Sequence, residues 1–204
     1  MSDSLPIPES STENDPLAAW LNRLPGGPVV WIIVSVELFT FSLFFLGYAW
    51  SYAQEVEVFS TSQAMLHPTS GAINTAILLT GSWLIARGAH RARTNSDAVP
   101  WLIATALSGI VFTGIKISEY VDVFSHGVSL STNQFWFFYL FLTVLHLVHV
   151  VIGVGICAVV AYGLRRPGEN PPDGDTVEAA ATYWHLVDLI WIMLFPLLYM
   201  SGAQ

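Results

Sequence analysis

Seven side chains that can bind or release a proton interrupt otherwise apolar stretches of this sequence. They are Glu37, Lys116, Glu119, His146, His149, His185 and Asp188. An ionisable group among apolar residues is costly unless it is paired, so each is a candidate for proton transfer, metal binding or a specific packing contact. A spacing of three residues, which places both members on one helix face, relates His146 to His149, His185 to Asp188, and Lys116 to Glu119.

The segments around these residues are long and apolar. Of the 204 residues, 53% are hydrophobic and 11% are charged, against about 25% charged in an average soluble domain. Five apolar stretches cover residues 29–52, 71–89, 99–119, 135–164 and 179–200, and each is close to the ~20 residues that cross a bilayer as a helix. Lipid offers the backbone no hydrogen-bond partner, so these stretches must be helical. The sequence predicts an all-α integral membrane bundle of five transmembrane helices over residues 29–204.

The distribution of charge predicts the orientation of the bundle. Six of the seven Lys and Arg residues lie before the first apolar stretch or around the ends of the second and fourth, and the connections 55–66 and 122–133 hold none. Because basic residues remain on the cytoplasmic side, we expect a cytoplasmic N-terminus and an outer C-terminus. Residues 1–28 carry four acidic residues and are predicted to form an acidic, disordered cytoplasmic tail. The net charge of −8 argues against a nucleic-acid partner.

With this orientation, four ionisable residues fall in one layer of the cytoplasmic half. At a rise of ~1.5 Å per residue, Glu37 lies about 12 Å below the cytoplasmic boundary and Asp188 about 14 Å below it. His149 and His185 each lie about 9 Å deep. We therefore expect Glu37, His149, His185 and Asp188 to form one buried polar network related to proton movement.

Near the outer end, Lys116 and Glu119 are expected to form a mutually neutralising pair. The simplest interpretation is an interfacial pair from which Lys116 extends outward to water. The alternative is a contact with a partner subunit at the outer face.

The four residues of the cytoplasmic layer could also bind a metal ion or a haem. Histidines and carboxylates from neighbouring helices can build a Zn or di-iron site, and His149 with His185 could ligate haem b. We favour a hydrogen-bonded network with no metal and no catalytic residue, in which further residues pack the helices together. These packing residues are His146, Gly153, Trp184 and Trp191. The single cysteine excludes paired-cysteine metal sites and C-x-x-C-H haem attachment.

Four ordered segments resemble one known family. Residues 183–191 read YWHLVDLIW, residues 35–39 SVELF, residues 117–120 ISEY and residues 146–153 HLVHVVIG, and Asn74-Thr75 fits the start of a further helix. In this order they resemble cytochrome c oxidase subunit III, from about residue 29 to the end. With five helices, the chain is similar to the short bacterial form of that family.

The resemblance implies a multi-pass subunit of a bacterial inner membrane that binds no haem or copper. It would stabilise the catalytic subunit I, which holds the haem and copper, and would support proton uptake from the cytoplasm, with bound phospholipid around it. Glu37 matches the buried glutamate of the family.

Two departures from the family pattern keep an alternative open, an accessory subunit of a nitric oxide reductase whose partner holds haem b and non-haem iron. Leu147 and Val148 stand between the two histidines, where the family usually has a glycine. Lys116 stands shortly before Ser118-Glu119-Tyr120, where oxidase members tend to have a neutral residue. More remote alternatives are a haem b membrane anchor and a small proton-coupled transporter or channel.

Overall fold

Helices account for the regular structure throughout the part of the chain that the computed structural model describes, residues 24–94, 96–166 and 172–200. In chain order they are α1 (Pro28–Gln54), α2 (Val56–Gln63), α3 (Pro68–Arg93), α4 (Val99–Ser125), α5 (Gln134–Arg165) and α6 (Gly174–Tyr199). The all-α prediction is confirmed over these ranges. Residues 1–23, most of the predicted acidic tail, lie outside the described residues.

A long helix forms at each of the five apolar stretches. Four of them, α1, α4, α5 and α6, are long and apolar enough to cross a membrane. The fifth, α3, has 26 residues and carries His90, Arg91 and Arg93 in its last turn, and it is not among those four. The prediction of a membrane protein is supported, while the count of five spans and the orientation stay predictions.

The short helix α2 lies where the sequence predicted only a connection. Its Phe59 is fully buried, with ring centroids 5.2 Å from Tyr48, 5.6 Å from Tyr52 and 5.7 Å from Phe135. In addition, the Gln63 side-chain amide donates to the Tyr48 hydroxyl at 3.0 Å. An apolar spacing of three residues, Val56 to Phe59, was the available signal for this helix. The aromatic contacts attach α2 to α1 and α5.

The helix starts follow ordinary capping chemistry. Prolines occupy the first turn of α1, α3 and α4, where a missing backbone N–H removes no helical hydrogen bond. Asn133 caps α5 by accepting the Trp136 N–H at 3.0 Å, and Asp173 caps α6 by accepting the Thr176 N–H at 2.9 Å. These side chains satisfy backbone groups that a helix start would leave unpaired.

The centre of the bundle is built around Trp184, which is fully buried. Its ring lies against Gly81 of α3, Gly109 of α4 and Gly153 of α5, so that a Cβ on Gly109 would stand 2.9 Å from Cη2 of the ring. The three glycines therefore let α3, α4 and α5 approach the indole closely. By contrast, α1 lies at the edge of this core and buries only Val34, Phe41 and Tyr48.

Candidate functional site

Glu37 and His149 pair across α1 and α5. The Nε2 atom of His149 lies 3.2 Å from Oε2 of Glu37, and Nδ1 lies 2.8 Å from the carbonyl oxygen of Leu145. A carbonyl only accepts, so Nδ1 must donate to it. Nε2 is therefore the ring nitrogen that faces the carboxyl group of Glu37, and the contact joins α1 to α5.

His185 and Asp188 form a second, separate pair on α6. His185 Nδ1 lies 2.7 Å from Ser82 Oγ of α3 and 3.8 Å from Asp188 Oδ2. The Asp188 side chain is buried, whereas 46% of the His185 side chain is exposed. The contact between His185 and Ser82 ties α6 to α3.

The expectation of one four-residue network is therefore corrected. Glu37, His149, His185 and Asp188 form two pairs, and among the described residues no hydrogen bond or ion pair joins them. Depth along a helix was predictable, but helix rotation was not: His149 faces α1, whereas His185 faces α3. A Tyr183 hydroxyl that donates to the His149 carbonyl at 3.4 Å links α6 to α5 beside the first pair.

A further polar cluster is built on Lys116, which is fully buried. Its ammonium donates to Glu119 Oε2 at 3.2 Å, to the Tyr139 hydroxyl at 3.2 Å and to the Tyr199 hydroxyl at 3.0 Å. Both hydroxyls in turn donate to Glu119 Oε1, at 2.8 Å from Tyr139 and 2.5 Å from Tyr199. All three N–H donors of the ammonium are thereby used. The hydroxyl groups of Tyr139 on α5 and Tyr199 on α6 contact both charged side chains of α4.

The expectation that Lys116 extends outward is wrong, although its pairing with Glu119 is found. The rings of Tyr120, Tyr139, Trp191 and Tyr199 lie 4.9–5.7 Å from Nζ, so the ammonium has cation–π partners as well as hydrogen bonds. These partners replace the water molecules that would otherwise hydrate the ammonium. Contact with a partner subunit at this end stays a prediction.

His146 is fully buried and faces away from His149. Its ring stacks on Trp191 with centroids 5.2 Å apart and meets the edge of Phe112 at 5.7 Å. Within the described part of the chain its two ring nitrogens make no hydrogen bond. These ring contacts fit a packing residue, and the packing role that the sequence gives to His146 stays a prediction.

The geometry around the histidines also bears on metal and haem binding. Among the residues described, no group of three or more His, Cys, Asp and Glu side chains is placed to hold a metal ion. His149 is directed at Glu37 and His185 at Ser82. The two histidines proposed as haem b ligands thus have different partners on different helices.

A comparison with known families decides the relationship. The sequence profile of cytochrome c oxidase subunit III matches residues 22–203. The chain belongs to the cytochrome c oxidase subunit III family. All three groups described above lie within the matched residues.

Individual relatives in the subunit III family agree. The chain is 33% identical to quinol oxidase subunit 3 of Bacillus subtilis over 64% of this chain and 65% of that protein. It is 29% identical to the protein of the same name from Bacillus spizizenii over 84% and 85%. Identity to cytochrome c oxidase subunit 3 of Thermostichus vulcanus is 38% over 62% of this chain and 63% of that protein. The matches to the first and third relatives span just under two thirds of their length.

Proposed function

We propose that this chain is the non-catalytic subunit III of a respiratory haem–copper oxidase, stabilising the catalytic subunit and supporting proton uptake. The match of the subunit III profile to residues 22–203 carries this proposal. Three ionisable pairs, Lys116–Glu119, Glu37–His149 and His185–Asp188, are made within the chain itself and support a role in holding the bundle together. Haem and copper belong to the partner, catalytic subunit I, in a bacterial inner membrane.

In this proposal all five long helices cross the membrane. With 26 residues, α3 is about 39 Å long at ~1.5 Å per residue, more than the ~30 Å hydrocarbon core. It packs on α4 and α6, which are both apolar enough to span. Arg93, at the end of α3, contacts Glu178, near the start of α6. Because α3 packs along two spanning helices and ends beside the start of α6, we infer that it is the fifth span.

Phospholipid is expected along α1. Large apolar side chains on this helix are exposed, among them Val29, Ile32, Phe39, Leu46 and Trp50. Such a face requires lipid or a partner helix to cover it. We place bound lipid and the catalytic subunit at this edge of the bundle.

The Glu37–His149 pair is the part of the chain suited to a role in proton uptake. It lies in the predicted cytoplasmic half, and 27% of the Glu37 side chain is exposed. In the assembled oxidase, Glu37→Gln should lower sustained turnover or weaken the complex, because an amide keeps the size of the side chain but cannot bind and release a proton as a carboxyl group does. Thr40→Val, which removes only a hydroxyl bonded to the backbone of its own helix, is the control. Wild-type assembly and wild-type sustained turnover in Glu37→Gln would contradict this role.

Purification of the tagged chain in mild detergent tests the assignment as a whole. We expect a co-purified complex that contains haem and two copper centres. A complex with haem b and non-haem iron would instead identify a nitric oxide reductase accessory subunit. A Soret band in the isolated chain would identify a haem b anchor and overturn the proposal.

A further inference from the structure

A groove of about 590 Å³ opens between α1, α3 and α6. Its walls are apolar and include Val34 and Leu38 of α1, Ala86 and Ala89 of α3, and Leu186 and Leu189 of α6. This volume lies within the range of about 300–1,000 Å³ typical of small-ligand sites.

An imidazole side chain lies beside the apolar walls of this groove. His185 lines it, and 46% of the imidazole side chain is exposed. Nδ1 is occupied by Ser82, at 2.7 Å, with Asp188 Oδ2 3.8 Å from the same nitrogen. Within the described ranges no hydrogen bond reaches Nε2. That nitrogen is available to whatever occupies the groove.

The depth of His185 restricts the occupant. Arg93 and Glu178 line the groove and contact each other, and His185 comes seven residues after Glu178, about 10 Å further along α6 at ~1.5 Å per residue. A phospholipid headgroup would remain beside Arg93. Its acyl chains would fill the apolar walls and offer His185 no hydrogen bond. An occupant that satisfies both must carry an uncharged hydrogen-bonding group into the hydrocarbon layer.

We propose that this groove binds an isoprenoid quinone or quinol, with one ring oxygen hydrogen-bonded to Nε2 of His185. Such molecules combine a planar ring bearing two oxygen atoms with an apolar tail, and they reside within the bilayer. The ring lies against Leu186 and Leu189, and the tail leaves along α1 into lipid. The inference goes beyond a supporting role for subunit III and is independent of the electron donor that the complex uses.

The contact between Ser82 and His185 lets the site accept both redox forms. A serine hydroxyl can donate or accept. When Ser82 donates to Nδ1, Nε2 carries the proton and can donate to a quinone oxygen. When Nδ1 donates to Ser82, Nε2 is an acceptor for a quinol hydroxyl. Neither arrangement requires a charge in the groove.

Native mass spectrometry of the delipidated full-length chain, with decylubiquinone and with dioleoylphosphatidylglycerol as probes, tests the inference. We expect one decylubiquinone per chain in the wild type. His185→Leu removes the hydrogen bond and Ala89→Leu fills the groove, so each should weaken decylubiquinone binding about tenfold or more, the factor for ~1.4 kcal/mol. Ala158→Leu, at an exposed α5 position away from the groove, should bind as the wild type does.

The two probes and the unfolding midpoint of each variant separate the outcomes. Retained phosphatidylglycerol binding in His185→Leu, with decylubiquinone lost, supports the inference. If the lipid binds in the groove and decylubiquinone does not, the groove is a lipid site and the inference is wrong. It is equally wrong if neither probe binds the folded wild-type chain, or if Ala89→Leu and His185→Leu both bind decylubiquinone as tightly as wild type while folded.

Discussion

At the scale of single residues, Lys116 shows how this chain keeps a charge away from water. Its ammonium and the Glu119 carboxylate lie 3.2 Å apart with 1% and 5% of their side chains exposed. A buried ion pair of this kind is stable only when the remaining donors and acceptors are also satisfied. Tyr139 and Tyr199 meet that condition by accepting from the ammonium and donating to the carboxylate. The cluster joins α4 to α5 and α6.

Removing one member of the Lys116–Glu119 pair should cost far more than removing both. Lys116→Met leaves a buried carboxylate without its counter-charge, and we expect a loss of about 3–5 kcal/mol in unfolding free energy. Glu119→Gln strands the ammonium in the same way, while the double variant should recover much of the loss. Unfolding by denaturant in detergent micelles measures all three.

The control for this series is Arg91→Met, which removes an exposed basic side chain. It should change unfolding free energy by no more than about 0.5 kcal/mol. A neutral effect of Lys116→Met alone would mean that the ammonium does not stabilise the fold.

At the scale of helices, the fit of Trp184 against three glycines determines how closely the bundle packs. A Cβ on Gly109 would meet Val154 Cγ2 at 2.5 Å and Trp184 Cη2 at 2.9 Å, whereas one on Gly114 of the same helix would meet nothing within 4 Å. Gly109→Ala should therefore destabilise the protein by about 1–3 kcal/mol through overpacking. Gly114→Ala should be neutral or slightly stabilising, since alanine favours helix. Equal unfolding midpoints for the two variants would contradict the close packing seen around Trp184.

The start of α6 provides a prediction that depends on pH. Hydrogen bonds from the Thr176 hydroxyl and backbone N–H lower the pKa of Asp173 below its ordinary value of 3.8. Because the folded state holds this carboxylate ionised more readily than the unfolded state does, the stabilisation is present above pH 3.8 and is lost as the pH falls through the lowered pKa.

Comparison of Asp173→Ala with the wild type should accordingly show a lower unfolding midpoint at pH 7 and a smaller difference as the solution is acidified. Asp173→Asn keeps an acceptor for the Thr176 N–H without an ionisable group. Its midpoint should lack the part of the pH dependence that Asp173 contributes in the wild type. An Asp173→Ala difference that is constant from neutral to acidic pH would rule out the ionised cap.

Sequence reasoning was most successful where lipid imposes a simple rule. Apolarity and length located five helices, because a backbone in lipid has no alternative to helix. Spacing also identified the Lys116–Glu119 pair on one face of α4. The partners that bury this pair, Tyr139 and Tyr199, are 23 and 83 residues away from Lys116. No local pattern reveals such partners, because they depend on the rotation of each helix about its axis. Helix rotation also explains why His149 contacts α1 while His185 contacts α3, although both lie at a similar depth.

At the scale of the whole molecule, polar groups are distributed at distinct levels of an apolar bundle. The Glu37–His149 and His185–Asp188 pairs lie on the side of the bundle where α3 ends and α6 begins, and the Lys116 cluster lies toward the opposite end. Each group ties a different set of helices: α1 to α5, α3 to α6, and α4 to both α5 and α6. The loosely packed α1 is attached through the first of them, so a change at Glu37 should affect the face that we assign to lipid and to the catalytic subunit.

Whether α3 crosses the membrane decides between four and five spans and can be tested at its two ends. His67 precedes α3 and Ser96 follows it, and both are exposed. If α3 spans with basic residues in the cytoplasm, His67→Cys should react with a membrane-impermeant maleimide in intact spheroplasts. Ser96→Cys should react only after permeabilisation. The unmodified chain is the control, because its single cysteine, Cys157, is 1% exposed. Labelling of both variants from the same side would show that α3 does not span, and reversal of the two sides would invert the proposed orientation while leaving the number of spans intact.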